Sequence, residues 1–141
     1  MTIFDTDVLS EILRGNTSII RRATVVPRAG QAISVVTAEE IVRGRLQAIR
    51  EAQSRRDPTA LVIAYGRFAE TVDALKRVRI VRHSEAAESQ FAAWRAARIK
   101  VAPNDLRIAA IAHVLGATLV TCNRKDFQLV PQLRVEYWPE A

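Results

Sequence analysis

The residues of this chain that could do chemistry are acids set against the ends of short apolar runs. Ile3-Phe4 stops at Asp5-Thr6-Asp7, and Ile33-Ser34-Val35-Val36 runs into Thr37-Ala38-Glu39-Glu40. Pro103-Asn104-Asp105 opens a helical stretch, and the apolar run ending at Thr121 is followed by Cys122-Asn123 and then Asp126. Carboxylates that converge from such distant positions repel one another and raise each other's pKa, at a cost to stability. A bound divalent cation removes the conflict, and an all-oxygen donor set favours Mg²⁺ or Mn²⁺. Such a site suits phosphodiester hydrolysis, in which the metal activates water and offsets charge on the phosphate and the leaving oxygen.

The elements that must position these acids can be read from periodicity. Ile3-Phe4 is a short buried strand, followed by a helix over 8–14 with Leu9, Ile12 and Leu13 inward and a stop at Gly15-Asn16. Residues 32–36 are β-branched and bounded, which predicts a second buried strand. Thr37 then reads as the N-cap of a helix over 38–55, with Glu40 completing a capping box. Asp57-Pro58 breaks the pattern before a helix over 59–76, striped by Leu61, Ala64, Phe68, Val72 and Leu75. Two long arginine-studded helices thus form a hairpin able to serve as a partner or dimer surface.

Residues 78–81 form a less apolar strand, expected near a sheet edge, and Ser84 caps a helix through residue 100. The helix opened by Pro103 ends at Gly116, with Ile108, Ala109, Ala112 and Leu115 inward. Strands over 117–121 and 133–137 complete the chain. This alternation predicts an α/β fold with three layers, α/β/α, around a mainly parallel central sheet, in a single domain over 1–141. Ligands of such sheets bind at the carboxyl ends of the strands, where Asp5, Glu40, Asp105 and Asp126 are all expected. Helix N-termini at Glu40 and Asp105 would favour the ionised, metal-ready form.

With 141 residues, 49% of them hydrophobic, the chain can bury a real core. No apolar stretch approaches the roughly 20 residues that span a bilayer, and the start lacks the basic and apolar pattern of a signal peptide. A soluble cytoplasmic protein is expected. The single cysteine, Cys122, excludes an intramolecular disulfide framework, and with His83 and His113 as the only histidines it argues against structural zinc. The net charge of +6 and pI near 10.4, with arginine outnumbering lysine, suit a polyanionic partner such as nucleic acid. An acidic protein partner would suit the same balance.

The blocks Ile3-Phe4-Asp5-Thr6-Asp7-Val8-Leu9-Ser10-Glu11, Ile33 to Ile41 closed by Gly44, Pro103-Asn104-Asp105-Leu106 with Ile108-Ala109-Ala110, and Ala117 to Asn123 with Asp126-Phe127 span almost the whole chain. Taken in that order they resemble the PIN-domain endoribonucleases, in particular the VapC-type toxins of bacterial toxin-antitoxin pairs. The resemblance implies that Asp5, Glu40 and Asp105 are metal-binding acids, with Asp126 the more variable fourth. It also implies Mg²⁺ or Mn²⁺ as cofactor, cleavage of transfer, messenger or ribosomal RNA, a homodimer, and an inhibitory antitoxin.

Two departures stand out. Asp7 lies where the family often has asparagine, adding charge beside Asp5, and Asn123 lies where many PIN domains have aspartate. Asn123 and Asp126 therefore both remain candidates to face the metal, while the Glu-Ile-x-x-Gly spacing favours Glu40 over Glu39.

Each acid taken singly has a duller role. Glu40 could merely cap its helix, Asp105 satisfy a helix N-terminus, and Asp126 pair with Arg124 or Lys125; their coincidence at one edge carries the case. Thr6 and Thr121 read as hydroxyls that bond backbone or the acids, His113 as structural, Cys122 as a small buried hydrophobe, and Trp94 and Trp138 as packing residues. A phosphoacceptor receiver domain is a poor match, because the third strand ends at Arg82-His83 and not at an aspartate. The alternative is a non-catalytic RNA- or protein-binding module, which would have no reason to keep clustered negative charge.

Overall fold

Period-two alternation in the strands sets the layers of the fold. In the computed structural model, which describes residues 1–139, Ile3, Ala32 and Leu119 face one side of the sheet, while Phe4, Ile33 and Val120 face the other. Both sides are apolar, so both must be covered. The strands are β1 (Thr2–Phe4), β2 (Gln31–Ser34), β3 (Arg79–Val81), β4 (Thr118–Thr121) and β5 (Val135–Tyr137), in spatial order β3-β2-β1-β4-β5. All pairs are parallel, and Phe4 stands between Ile33 and Val120. The expected three-layer α/β fold is borne out, with the third strand at an edge.

Helices α1 (Thr6–Leu13), α2 (Thr17–Val25), α3 (Val35–Ser54) and α4 (Pro58–Leu75) follow the first two strands. Val8, Leu9, Ile19 and Ile41 close the core on the Phe4 face. On the Ile3 face lie α5 (Glu85–Ala96) and α6 (Pro103–Val114), with Phe91 and Trp94 of α5 against Leu106, Ile108 and Ile111 of α6. A short α7 (Arg124–Phe127) follows β4. Because α6 is wedged between the sheet and α5, it is buried nearly all round. Ile111→Ala is expected to cost about 3 kcal/mol, from lost apolar burial plus the cavity left behind, measurable by denaturant unfolding.

Several boundaries differ from the sequence expectation. Strand β2 ends at Ser34, and α3 begins at Val35, although 32–36 is β-branched. The neighbours decide this: β1 ends opposite Ile33 and β3 ends opposite Ser34, so Val35 and Val36 have no ladder to join. Ser34 takes over as N-cap, its hydroxyl accepting from the Thr37 N–H at 3.1 Å, and Thr37 is not the cap. Helix α5 ends at Ala96, short of residue 100, and the left-handed Arg98 turns the chain away. Leu115, expected inward, is 47% exposed because α6 has already ended at Val114. Gly116, at φ +62°, does supply the expected stop.

The α3–α4 hairpin forms, with Asp57 capping α4 through the Ala60 N–H. Trp94 and Trp138 are buried, and His113 packs on the Trp94 ring at 5.5 Å. No helix among the described residues is long and apolar enough to cross a membrane.

Candidate active site

Asp5 is placed by the strand pairing around it. Its N–H donates to the Val120 carbonyl at 2.9 Å, extending the β1–β4 pairing past the strand end. Its side chain then caps α1 by accepting from the Thr6 N–H at 2.8 Å. The second carboxylate oxygen accepts from the Thr121 hydroxyl at 2.7 Å. The residue is only 3% exposed. Burial, reinforced by the Asp7 charge, pushes its pKa up to about 8 despite these hydrogen bonds.

Asp7 is the site residue that sequence reasoning left out of its acid set. Helix α1 begins at Thr6, two residues earlier than the apolar pattern indicated, so Asp7 sits in the first turn. Its carboxylate accepts from the Cys122 N–H at 3.0 Å and stands 3.3 Å from the Thr121 hydroxyl. Burial raises its pKa as well. The sequence signal for its membership is its place two residues after Asp5.

Glu40 accepts from the Thr6 hydroxyl at 2.8 Å. Its neighbour Glu39 is exposed and pairs with Arg43, whose hydrogen bonds hold the Glu39 carboxyl below the usual range. Of the two, Glu40 is the one that reaches α1. Glu40 is not at a helix N-terminus as expected: α3 starts at Val35, so Glu40 lies in the second turn, beyond the strongest pull of the macrodipole.

Asp105 is the third residue of α6, within its first turn. Burial first, and then the charges of Glu40, Asp126 and Asp7, push its pKa up to about 6. Among the described residues none donates a hydrogen bond to its carboxylate. Asp126 stands close enough to act on Asp105 while being held by Asn123, whose side-chain amide donates to it at 2.9 Å and whose carbonyl oxygen accepts from its N–H at 3.2 Å. Asn123 is thus engaged as the cap of α7, and it is Asp126 whose charge reaches Asp105. Asp126 makes no ion pair with Arg124, whose guanidinium lies 4.2 Å over the Tyr137 ring.

The structure therefore brings Asp5, Glu40, Asp105 and Asp126 to one edge, with Asp7 among them. Among the described residues no lysine or arginine forms an ion pair with any of these acids. Nor do three histidine, cysteine or acidic side chains among them stand gathered as a finished metal cage. The fit to a hard divalent cation is one of donor chemistry and charge: oxygen donors only, raised pKa values at Asp5, Asp7 and Asp105, and among the described residues no base in ion-pair contact with the set.

Neither a protein-family model nor a curated protein matches the sequence. Solved structures do match it over nearly their whole length. DNA-bound VapBC from Salmonella typhimurium is 23% identical with a TM-score of 0.78, covering 97% of each chain. FitAcB from Neisseria gonorrhoeae is 21% identical with a TM-score of 0.76, covering 99% of this chain and 98% of that one. A toxin-antitoxin complex from Klebsiella pneumoniae is 24% identical with a TM-score of 0.74, covering 99% and 100%. Identities this low make the likeness one of fold, and the fold is the one these chains share.

Proposed function

We propose that this chain is the toxin of a toxin-antitoxin pair, a PIN-domain protein of the VapC type that hydrolyses RNA phosphodiester bonds with a divalent metal ion. The observation that carries the reading is the set of carboxylates, without an ion-pair partner among the described residues, at the carboxyl edge of the sheet. A surface meant only to hold a polyanion gains nothing from gathering acids at one edge, where burial and neighbouring charge raise the pKa of Asp5 and Asp105.

Asp5, Asp105, Glu40 and Asp126 would hold Mg²⁺ or Mn²⁺, with Asp7 adding charge beside Asp5. When bound, the cation supplies an activated water and offsets charge on the phosphate. The chain's own part is to hold the acids still. Thr121 and the Thr6 N–H fix the Asp5 carboxylate from both sides, the Thr6 hydroxyl fixes Glu40, and Asn123 fixes Asp126. Arg124 and Lys125, exposed at the start of α7, offer positive charge to the RNA backbone beside Asp126.

For the antitoxin, the fold offers an apolar groove of about 800 Å³ between α1, α2, α4 and the sheet. Leu9, Ile20 and Leu75 line it and Arg28, Arg77 and Arg79 border it, which suits an amphipathic helix flanked by acids. In a homodimer, a second copy would cover the exposed Val62 and Ile63 of α4.

The test is to induce wild type and Asp5→Asn in a bacterial host and sequence RNA 5′ ends. Growth arrest with new, discrete ends from wild type alone supports the reading and identifies the RNA. Identical ends from two soluble proteins would overturn it in favour of a binding module.

A further inference from the structure

Thr37 is wholly buried, and with Ser34 acting as N-cap its hydroxyl is left for another purpose. It reaches across to α1, where its oxygen lies 2.9 Å from the Thr6 hydroxyl oxygen. Thr6 in turn donates to Glu40 at 2.8 Å. On the other side, the Ser34 hydroxyl, also wholly buried, lies 3.4 Å from the Thr37 hydroxyl and accepts from the Thr37 N–H.

Counting protons settles the direction of this chain. A hydroxyl has one proton to donate and lone pairs to accept with. The Thr6 proton is used on Glu40, so the Thr6–Thr37 contact needs the Thr37 proton. Thr37 is then an acceptor toward Ser34, which donates to it. The protons run Ser34 to Thr37 to Thr6 to Glu40. The reverse order would turn the Thr6 proton toward Thr37 and leave a bare oxygen against a Glu40 carboxylate oxygen, a repulsion that their partly buried setting strengthens.

We infer that Thr37 is a positioning residue for the acidic site: by donating to Thr6 it commits the single Thr6 proton to Glu40 and so fixes the Glu40 side chain. Thr37 is placed for this by the sheet, since Phe4 pairs with Ile33 and the chains that continue from them carry Thr6 and Thr37 into contact. The Ser34 and Thr6 hydroxyls on either side hold the direction of its own hydroxyl. The consequence for metal binding rests on the nuclease reading, whereas the hydrogen-bond order does not.

The test compares Thr37→Val, which keeps the shape and removes the hydroxyl, with Thr37→Ser, which keeps the hydroxyl. Ile41→Val, in the same helix and without polar change, serves as a packing control. In the metal-free protein the carboxyl ¹³C signal of Glu40 should move in Thr37→Val and stay at its wild-type position in Thr37→Ser and Ile41→Val. Titration with Mn²⁺ should show affinity about 10-fold weaker in Thr37→Val alone, the usual scale for losing a supporting hydrogen bond behind a metal ligand. An unmoved Glu40 signal in Thr37→Val would overturn the inference. Wild-type protein that takes up no Mn²⁺ and cuts no RNA would instead sink the nuclease reading, and the metal-free Glu40 signal would still decide the role of Thr37.

Discussion

Asp5→Asn is expected to make the metal-free protein more stable at pH 8 while lowering RNA cleavage about 100-fold or more, since weakening even the support behind a metal ligand costs about 10- to 100-fold. The two effects share one cause. Folding at pH 8 forces Asp5 either to ionise in a buried site beside Asp7 or to hold a proton that the unfolded chain would release. At about 1.4 kcal/mol per pKa unit, removing that conflict is worth on the order of 2 kcal/mol or more. Asparagine can keep the hydrogen bonds. Its carbonyl oxygen accepts from the Thr6 N–H, and its amide faces the Thr121 oxygen, whose proton can turn to Asp7 at 3.3 Å. What it cannot supply is negative charge for a cation. Denaturant unfolding in chelator, beside cleavage of RNA with Mg²⁺, measures both effects. A destabilised variant would contradict the electrostatic account, and wild-type cleavage would contradict the nuclease.

The second large effect is a dependence of stability on pH that a divalent cation is expected to offset. An unfolded aspartate ionises near 3.8, whereas folded Asp105 keeps its proton to about 6 and Asp5 to about 8. Across that interval the folded state binds more protons, so stability falls as pH rises, by about 1.4 kcal/mol per unit for each fully retained proton, and levels off above 8. Asp105 is partly exposed, so its share is smaller. Glu11, Glu39 and Glu88, whose partners lower their pKa, act in the opposite sense, but only below their usual 4.5. Between pH 5 and 8 the melting temperature of the metal-free protein should therefore fall, by roughly 10 °C for a chain of this size. On the proposed reading Mg²⁺ or Mn²⁺ would select the ionised acids, and a hundredfold excess over Kd would add about 2.7 kcal/mol. The rise in melting temperature on adding metal should be larger at pH 8 than at pH 5. Equal rises at both, or a melting temperature flat in pH, would count against ionised acids as the binding form.

Fold class, element order and the edge that carries Asp5, Glu40, Asp105 and Asp126 are legible in the chain alone. Those follow from local signals: apolar runs of strand length, helical stripes and acids just after them, which hold wherever the chain is packed. How the acids are held depends on packing between distant elements, and Asp7, Thr37 and Asn123 show why. Strand β2 stops at Ser34 because its neighbours stop there, and a shift of the helix start changes which residue caps it. That shift frees Thr37 from capping and turns it toward Thr6, 31 residues away in sequence. The earlier start of α1 likewise brings Asp7 onto the Cys122 N–H, and the cap of α7 ties Asn123 to Asp126. Each successive residue of a helix turns by about 100°, so a boundary misplaced by one or two positions re-aims every side chain after it. Where an element begins is set by hydrogen bonds to partners distant in sequence, and that information exists only once the sheet has formed.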